Sequence, residues 1–146
     1  MNGKDFSEVV NLICRKDDRY DRAAYAFIRE ALDFTVKRLS AQAGPEAKIH
    51  HVSGSDLSEG ARDYALSQYG PMAATLLRQW GITRTEDFGE LVYNLVELEV
   101  FGTQEGDRRE DFAGIYDFHE AFEAPFLPKA AMSGSSGRGE QGPTRP

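Results

Sequence analysis

The chain has 146 residues, 40% hydrophobic and 11% aromatic, enough for one domain with a sizeable core, which excludes disorder over most of its length. It has one cysteine and no apolar run of about 18 residues, which excludes an intramolecular disulfide, a zinc-finger cluster and a transmembrane span. The first residues lack an apolar signal region, and together these features predict a soluble cytoplasmic protein.

The net charge of −7 is unevenly distributed along the chain. Residues 53–128 carry fifteen Asp and Glu against five Lys and Arg, a balance of −10, whereas residues 1–52 carry nine Lys and Arg against eight acids, a balance of +1. Nucleic acids are polyanions that bind through cationic contacts, so a segment at −10 disfavours them as partners. An acidic surface either keeps the protein soluble or meets a basic protein partner.

Five segments carry apolar residues at helical spacing between residues that favour helix ends. They predict helices over 5–16, 22–41, 57–69, 71–80 and 86–97. Asp21, Asp56 and Thr85 are the predicted N-caps of the second, third and fifth helices, because their side chains can accept bonds from free N–H groups. Asp117 is predicted to cap a short last helix over 118–122.

Short segments rich in β-branched or alternating apolar residues predict a small sheet. Its strands are predicted over 48–52, 98–101 and 112–116. With a tight connection at 81–85 and a wing at 102–110, the order of elements predicts a mainly α fold with a small β-sheet. This fold is a winged-helix-like single domain over 1–128, followed by a flexible tail over 129–146. The rival interpretation is an irregular helical bundle without a sheet.

The fifth helix occupies the position of the recognition helix in a winged-helix domain. It carries Glu86, Asp87, Glu90 and Glu97 and has no Lys or Arg. Those carboxylates would be repelled by phosphates in a DNA groove, so the usual function of this fold is not expected here.

Several motifs follow one another in a specific order. They are HVSG at 51–54, YGPM at 69–72, WGI at 80–82, TEDFGELV at 85–92, REDF at 109–112, YDF at 116–118 and PFLP at 125–128. This order resembles a family of small bacterial proteins of unknown role from the Planctomycetes–Verrucomicrobia lineage. The similarity covers most of residues 4–128 and leaves out the tail. It implies a bacterial, cytoplasmic, single-domain protein and supplies no catalytic residues.

Arg15, Lys16, Arg19 and Arg22 form the one basic cluster of the chain. The cluster can contact RNA or an acidic protein, or it can pair with the acidic segment of its own chain. The second interpretation is favoured, because residues 1–52 and 53–128 differ by eleven charge units.

Apolar residues also lie in turns or extended segments: Tyr20, Pro125, Phe126 and Leu127. If they are exposed together, they form a patch of the kind found at protein interfaces. The alternative is that they seal the ends of the domain.

Three features resemble metal or nucleophile sites, and each has a simpler explanation. His50 and His51 are neighbours on a predicted strand, so they point to opposite faces and cannot share one ion. The loop 105–111 places two arginines where a calcium loop needs oxygen ligands. Cys14 lies beside Arg15 but has no identifiable base, which favours a structural role. We therefore expect no metal and no cofactor.

His119, Glu120 and Glu123 form the best acid–base set, since His119 and Glu123 stand at i, i+4 on the predicted last helix. A histidine beside carboxylates can act as a general base, which gives a small hydrolase as one hypothesis. The simpler interpretation is a solvated helix face.

The leading hypothesis is a non-enzymatic adaptor domain that binds a protein partner, with a basic partner favoured by the acidic segment. Its candidate binding residues are Arg15, Lys16, Arg19, Arg22, Phe126 and Leu127. The alternative from another class is a nucleic-acid-associated regulator that docks through residues 15–22. The oligomeric state is left open.

Overall fold

The computed structural model describes residues 5–44, 52–97 and 109–127, and helices make up 81% of them. The α-helices are α1 (Phe6–Lys16), α2 (Arg22–Ala43), α3 (Gly54–Tyr69), α4 (Ala73–Gln79) and α5 (Thr85–Glu97). The shorter elements are 3₁₀ turns at Gly70–Met72, Arg109–Phe112 and Ala124–Phe126 and a π-helix at His119–Glu123.

The helix starts follow the predicted capping chemistry, with two corrections. The Asp21 carboxylate accepts the Ala23 N–H at 2.9 Å and caps α2. The cap of α3 is Ser53 rather than Asp56, so this helix begins three residues before its predicted start. Ser53 accepts from the Asp56 N–H and Asp56 accepts in return, which completes a capping box. Thr85 lies inside α5 instead of capping it.

The predicted small β-sheet and winged-helix-like fold are wrong. Among the described residues there is no strand, and an irregular helical bundle fits. Of the predicted strands, 48–51 and 98–101 lie outside the described residues, as do residues 102–108 of the wing and the tail over 129–146. The segment 112–116 ends a 3₁₀ turn and continues as a turn.

A helix, and not another strand, takes up the hydrogen bonds of this segment. The hydroxyl of Thr85 in α5 donates to the Phe112 carbonyl at 2.7 Å and accepts the Ile115 N–H at 3.1 Å. The Phe112 ring packs against Gly89, where a Cβ would lie within 2.9 Å of it. The apolar residues of this segment therefore pack a turn against α5, and they do not belong to a pair of strands.

The core is centred on α2 and α5, whose apolar faces meet. Its largest fully buried apolar side chains are Tyr25, Phe27, Ile28, Leu77, Ile82, Phe88, Leu91, Leu95 and Phe122. The Phe27 ring lies 5.8 Å from Trp80 and 6.5 Å from Phe88, centroid to centroid. These tilted ring pairs stabilise the junction of α2, α4 and α5 beyond the area they bury.

The helix that holds the recognition position in the predicted winged-helix fold packs one face against the bundle. α5 buries Phe88, Leu91 and Leu95 completely and contacts α1, α2 and α3. This arrangement follows from its apolar stripe, which is long enough to cover the core along the whole helix. The face of α5 that stays partly exposed carries Glu86, Glu90 and Glu97.

The closest helix contact joins α2 and α3 at Gly60. A Cβ at Gly60 would overlap the hydroxyl of buried Thr35, which donates to the Ala31 carbonyl at 2.7 Å. Glycine at this position lets the two helix backbones approach each other.

Gly60→Ala is expected to destabilise the fold by about 1–3 kcal/mol, because overpacking the α2–α3 contact outweighs the gain in helix propensity. The measurement is urea unfolding followed by circular dichroism. In a Thr35→Ala background the same substitution should cost less, since the overlapping hydroxyl is gone. An equal cost in both backgrounds would contradict this account of the contact.

Candidate functional site

The α1–α2 turn (residues 17–21) is held to α5 by a network of charged hydrogen bonds. Arg19 donates to the Asp17 carboxylate at 2.7 and 2.9 Å, and Asn94 of α5 donates to the same carboxylate at 3.0 Å. Arg19 also reaches Glu90 at 3.2 Å. The Arg19 guanidinium holds the pKa of Asp17 well below its usual range. The turn is therefore fixed in place, with the charge of Arg19 compensated.

Beneath this network, a buried carboxylate joins two turns. The Tyr20 hydroxyl donates to Asp87 Oδ1 at 2.5 Å, while the N–H groups of Thr83 and Arg84 donate to Oδ2 at 2.9 and 3.3 Å. Asp87 is only 6% exposed, so its predicted place on a solvent-facing acidic helix is wrong. Burial raises the pKa of Tyr20, which keeps this phenol a donor. Asp87 thus ties the α1–α2 turn to the α4–α5 turn (residues 80–84).

The two turns border a shallow, open cleft of about 430 Å³. The Asp21 N–H donates to the Trp80 carbonyl at 3.1 Å across its floor. Gly81 adopts φ +94°, and a Cβ there would collide with the Arg19 carbonyl, so glycine is required for the turns to meet. We call this feature the basic cleft. Its charged walls are Asp18, Arg19, Asp21, Arg22 and Arg78.

The structure divides the predicted basic cluster. Arg19 and Arg22 line the basic cleft, whereas Arg15 and Lys16 lie exposed in the last turn of α1, outside its walls. The guanidinium of Arg22 donates to the side-chain oxygen of Asn11, which is neutral. In the described part of the chain no carboxylate forms an ion pair with Arg22, so its charge is open to a ligand.

Within the predicted basic cluster, only Arg19 has a described ion pair with the acidic segment, and Arg38, outside the cluster, has another. Arg19 contacts Glu90, and Arg38 contacts Asp63 at 2.5 Å between Nη1 and Oδ2. These pairs link the segment 1–52 to the acidic segment and compensate part of its charge.

Sequence reasoning did not single out Arg78, although it lines two neighbouring depressions. Its guanidinium lies 2.9 Å from Glu123 Oε2. The other oxygen of this carboxylate, Oε1, lies 2.8 Å from His119 Nδ1. The hydrogen bond to His119 lowers the pKa of Glu123. Arg78 lines both the basic cleft and a depression of about 60 Å³ beside the π-helix. The sequence offered one indication that Arg78 belongs to the site, namely its position near the end of the fourth helix, two residues before Trp80.

The depression beside His119 is small, with room for a few water molecules. The His119–Glu123 pair lies at the surface, with both side chains at least 40% exposed. With Arg78 it fastens the π-helix to α4. This geometry gives the acid–base set a structural role.

Phe126 and Leu127 end the described C-terminal segment and are 45% and 42% exposed. They follow the π-helix directly, three and four residues after Glu123. Tyr20 follows the alternative interpretation, since it is buried against Asp87 and shares no exposed patch with Phe126 and Leu127. Met72 is a further exposed apolar side chain, at 54%.

Cys14 is half-buried at the edge of the basic cleft, with its Sγ 4.0 Å from the Tyr20 carbonyl oxygen. Burial raises the pKa of the thiol, which disfavours the nucleophilic thiolate. His50, His51 and residues 105–108 of the proposed calcium loop lie outside the described residues. Over the described ranges, no group of three His, Cys, Asp or Glu is placed to hold a metal ion.

No family model, curated protein or solved structure matches this chain significantly. The resemblance to a bacterial family therefore stays a prediction. None of the helices within 5–44, 52–97 and 109–127 is long and apolar enough to cross a membrane.

Asp87→Asn is expected to destabilise the fold by about 1–3 kcal/mol, because the amide cannot accept bonds on both sides and leaves buried donors unpaired. Thermal and urea unfolding measure the loss. Glu97→Gln, at the exposed end of α5, is the matched control and should change stability by less than about 0.5 kcal/mol. Equal effects of the two substitutions would contradict the role of Asp87.

The buried Tyr25 and the half-buried Tyr64 predict a loss of stability in alkali. Burial raises the pKa of both Tyr25 and Tyr64 to about 12, against about 10 in an unfolded chain. The folded state therefore favours the neutral phenols. The stability that they contribute is complete below pH of about 10 and is lost as the pH rises through about 12.

Phenolate absorbance and far-ultraviolet circular dichroism, recorded together against pH, check this expectation. Phenolate formation should be delayed and should coincide with the loss of helical signal. Ionisation of all tyrosines near pH of about 10 with the helices intact would contradict it.

Proposed function

We propose that this chain is a non-enzymatic adaptor domain that binds a protein partner through one continuous surface. We call it the docking surface, formed by Arg19, Arg22, Arg78, Trp80, Phe126 and Leu127. The observation that carries the proposal is the position of Arg78. It lines the basic cleft and, through Glu123, holds the element that leads to the exposed Phe126 and Leu127.

The composition of the docking surface is typical of protein interfaces, where arginine and aromatic residues are enriched. Trp80 is half-buried, and its ring packs on Phe27 and Tyr69 at 5.8 and 5.9 Å, so it is held rigidly. A rigid aromatic ring loses little entropy when a partner covers it. Phe126 and Leu127 are exposed apolar side chains. A partner that covers them removes apolar surface from water, which favours binding.

The position of α5 and the cleft's own acids favour a protein partner over a nucleic acid. One face of α5 is packed in the bundle, and its partly exposed face carries Glu86, Glu90 and Glu97, which repel phosphate. Asp18 and Asp21 stand in the wall of the basic cleft, and the charge of Arg19 is compensated by Asp17 and Glu90. A phosphate backbone would meet these carboxylates at close range.

A basic partner on the acidic surface stays the competing form of this proposal. Two carboxylates of the acidic segment are occupied within the chain, since Asp56 and Asp117 accept backbone N–H groups at helix starts. Those carboxylates are less available to a partner's cations, which favours the docking surface as the site of contact.

Selection from a random-peptide display library against the immobilised full chain tests the proposal. Peptides that are enriched should bind Arg78→Glu and Phe126→Asp at least about tenfold more weakly than the unaltered protein. Lys37→Glu, on an exposed part of α2 outside the docking surface, is the matched control and should bind within about twofold.

Circular dichroism verifies that each variant keeps its helices. Failure to enrich any peptide, or equal binding by all three variants, would overturn the adaptor proposal.

A further inference from the structure

A second depression, of about 580 Å³, runs along the exposed face of α2 and has no residue in common with the docking surface. We call it the α2 groove. Its apolar walls come from α1, α2 and α3 and are formed by Phe6, Ala26, Phe34 and Tyr64. Its charged side chains all belong to α2 and are Arg29, Glu30, Asp33 and Lys37. The groove therefore carries two positive and two negative charges and has no net charge.

We infer that the α2 groove is the interface of a homodimer, in which the α2 helices of two copies of this chain lie antiparallel across a twofold axis. This inference goes beyond the adaptor proposal and does not depend on it. A dimer of this kind carries two docking surfaces, one on each copy.

The overall charge of the chain restricts where two copies can meet. At −7 per chain, two copies repel each other least when they meet through a face without net charge. The α2 groove is such a face, and all its charged residues lie in the segment 1–52, whose balance is +1. A purely acidic or purely basic partner would meet two like charges there, whereas a second copy supplies both signs in equal number.

The order of the charges along α2 specifies how the two copies pair. When the antiparallel helices cross level with Ala31, Arg29 of each copy lies opposite Asp33 of the other, because both residues are two positions from the crossing point. Within one chain these side chains have other contacts. The Arg29 guanidinium lies 4.6 Å from the centroid of the Phe6 ring, and Asp33 pairs with Lys37 at 3.0 Å. That pair is exposed at 65% and 76%, so Asp33 can turn to a second cation at little cost.

The apolar part of the α2 groove is held rigidly, which lowers the entropy cost of association. The rings of Phe34 and Tyr64 lie 5.5 Å apart, centroid to centroid, and the Tyr64 hydroxyl donates to Glu30 at 2.8 Å. The exposed Ala26 has a small side chain, so a second helix can approach closely beside these rings.

The length of α2 gives the interface a sufficient area. Its 22 residues form a face about 33 Å long. At a width of about two helices, this face offers roughly 700 Å² on each copy, close to the roughly 800 Å² of a standard interface. We therefore expect a dimer with a Kd in the micromolar range, about 1–100 μM.

Sedimentation velocity on the full chain, from about 1 μM to about 300 μM, tests the inference. The mass should rise from that of one chain to that of two. Arg29→Asp places a carboxylate opposite Asp33 of the second copy, and Asp33→Arg places a guanidinium opposite Arg29. Each variant alone should therefore associate at least about tenfold more weakly than the unaltered chain.

An equimolar mixture of these two variants separates the pairing from a general loss of structure. In a mixed dimer both contacts join opposite charges, so the mixture should dimerise within about threefold of the unaltered chain. Arg84→Asp makes the same change of charge in the α4–α5 turn, outside the α2 groove, and should dimerise normally. Circular dichroism checks that each variant keeps its helices.

A chain that stays monomeric up to about 300 μM, or that dimerises equally well with either substitution, would overturn the inference. A mixture that associates no more tightly than the single variants, or a mass of three or more chains, would do the same. Library-selected peptides should bind Arg29→Asp as they bind the unaltered protein, because the docking surface lies elsewhere. Loss of that binding, in a chain that remains monomeric, would assign the α2 groove to a different protein.

Discussion

The arrangement of the functional surface depends on one buried carboxylate. Asp87 accepts from Tyr20 on one turn and from the backbone of Thr83 and Arg84 on another. A buried charge is tolerated only when its lone pairs are occupied, so the two turns must stay together for α5 to begin where it does. The basic cleft is the space that remains between them, and its shape follows from this constraint.

The acidity of the chain has a structural origin as well as a surface effect. The side chains of Asp5, Asp21, Asp56 and Asp117 each accept a backbone N–H near a helix start. Such carboxylates also interact favourably with the positive end of the helix dipole. A short helical bundle has many helix starts for its length, so a negative net charge follows in part from its architecture.

Sequence reasoning located the helices because each long helix has an apolar stripe at regular spacing, as with Tyr25, Ile28 and Leu32 in α2. The sheet was predicted wrongly because alternation in a short segment does not say what lies opposite. In 112–116 the alternating residues face Gly89 and Thr85 of a helix. Such a partner is distant in sequence and leaves no local pattern.

The candidate site was predictable only in part for the same reason. Arg19 and Arg22 were visible as local positive charge, but the sequence did not reveal which of them meets a carboxylate. Asp87 and Glu90 have the same charge and lie one turn apart, and only tertiary packing makes one a buried acceptor and the other a surface partner. Arg78 joins the site through residues far along the chain.

The π-helix over His119–Glu123 contains an aromatic side chain that is buried in the bundle and precedes one that is exposed. In an uninterrupted α-helix, residues four apart share a face, so Phe126 would follow Phe122 into the interior. Phe122 is 1% exposed and Phe126 is 45% exposed, because the wide turn and the following 3₁₀ turn rotate the chain between them. The change of helix type between these two positions thus separates a ring that supports the fold from a ring exposed to other molecules.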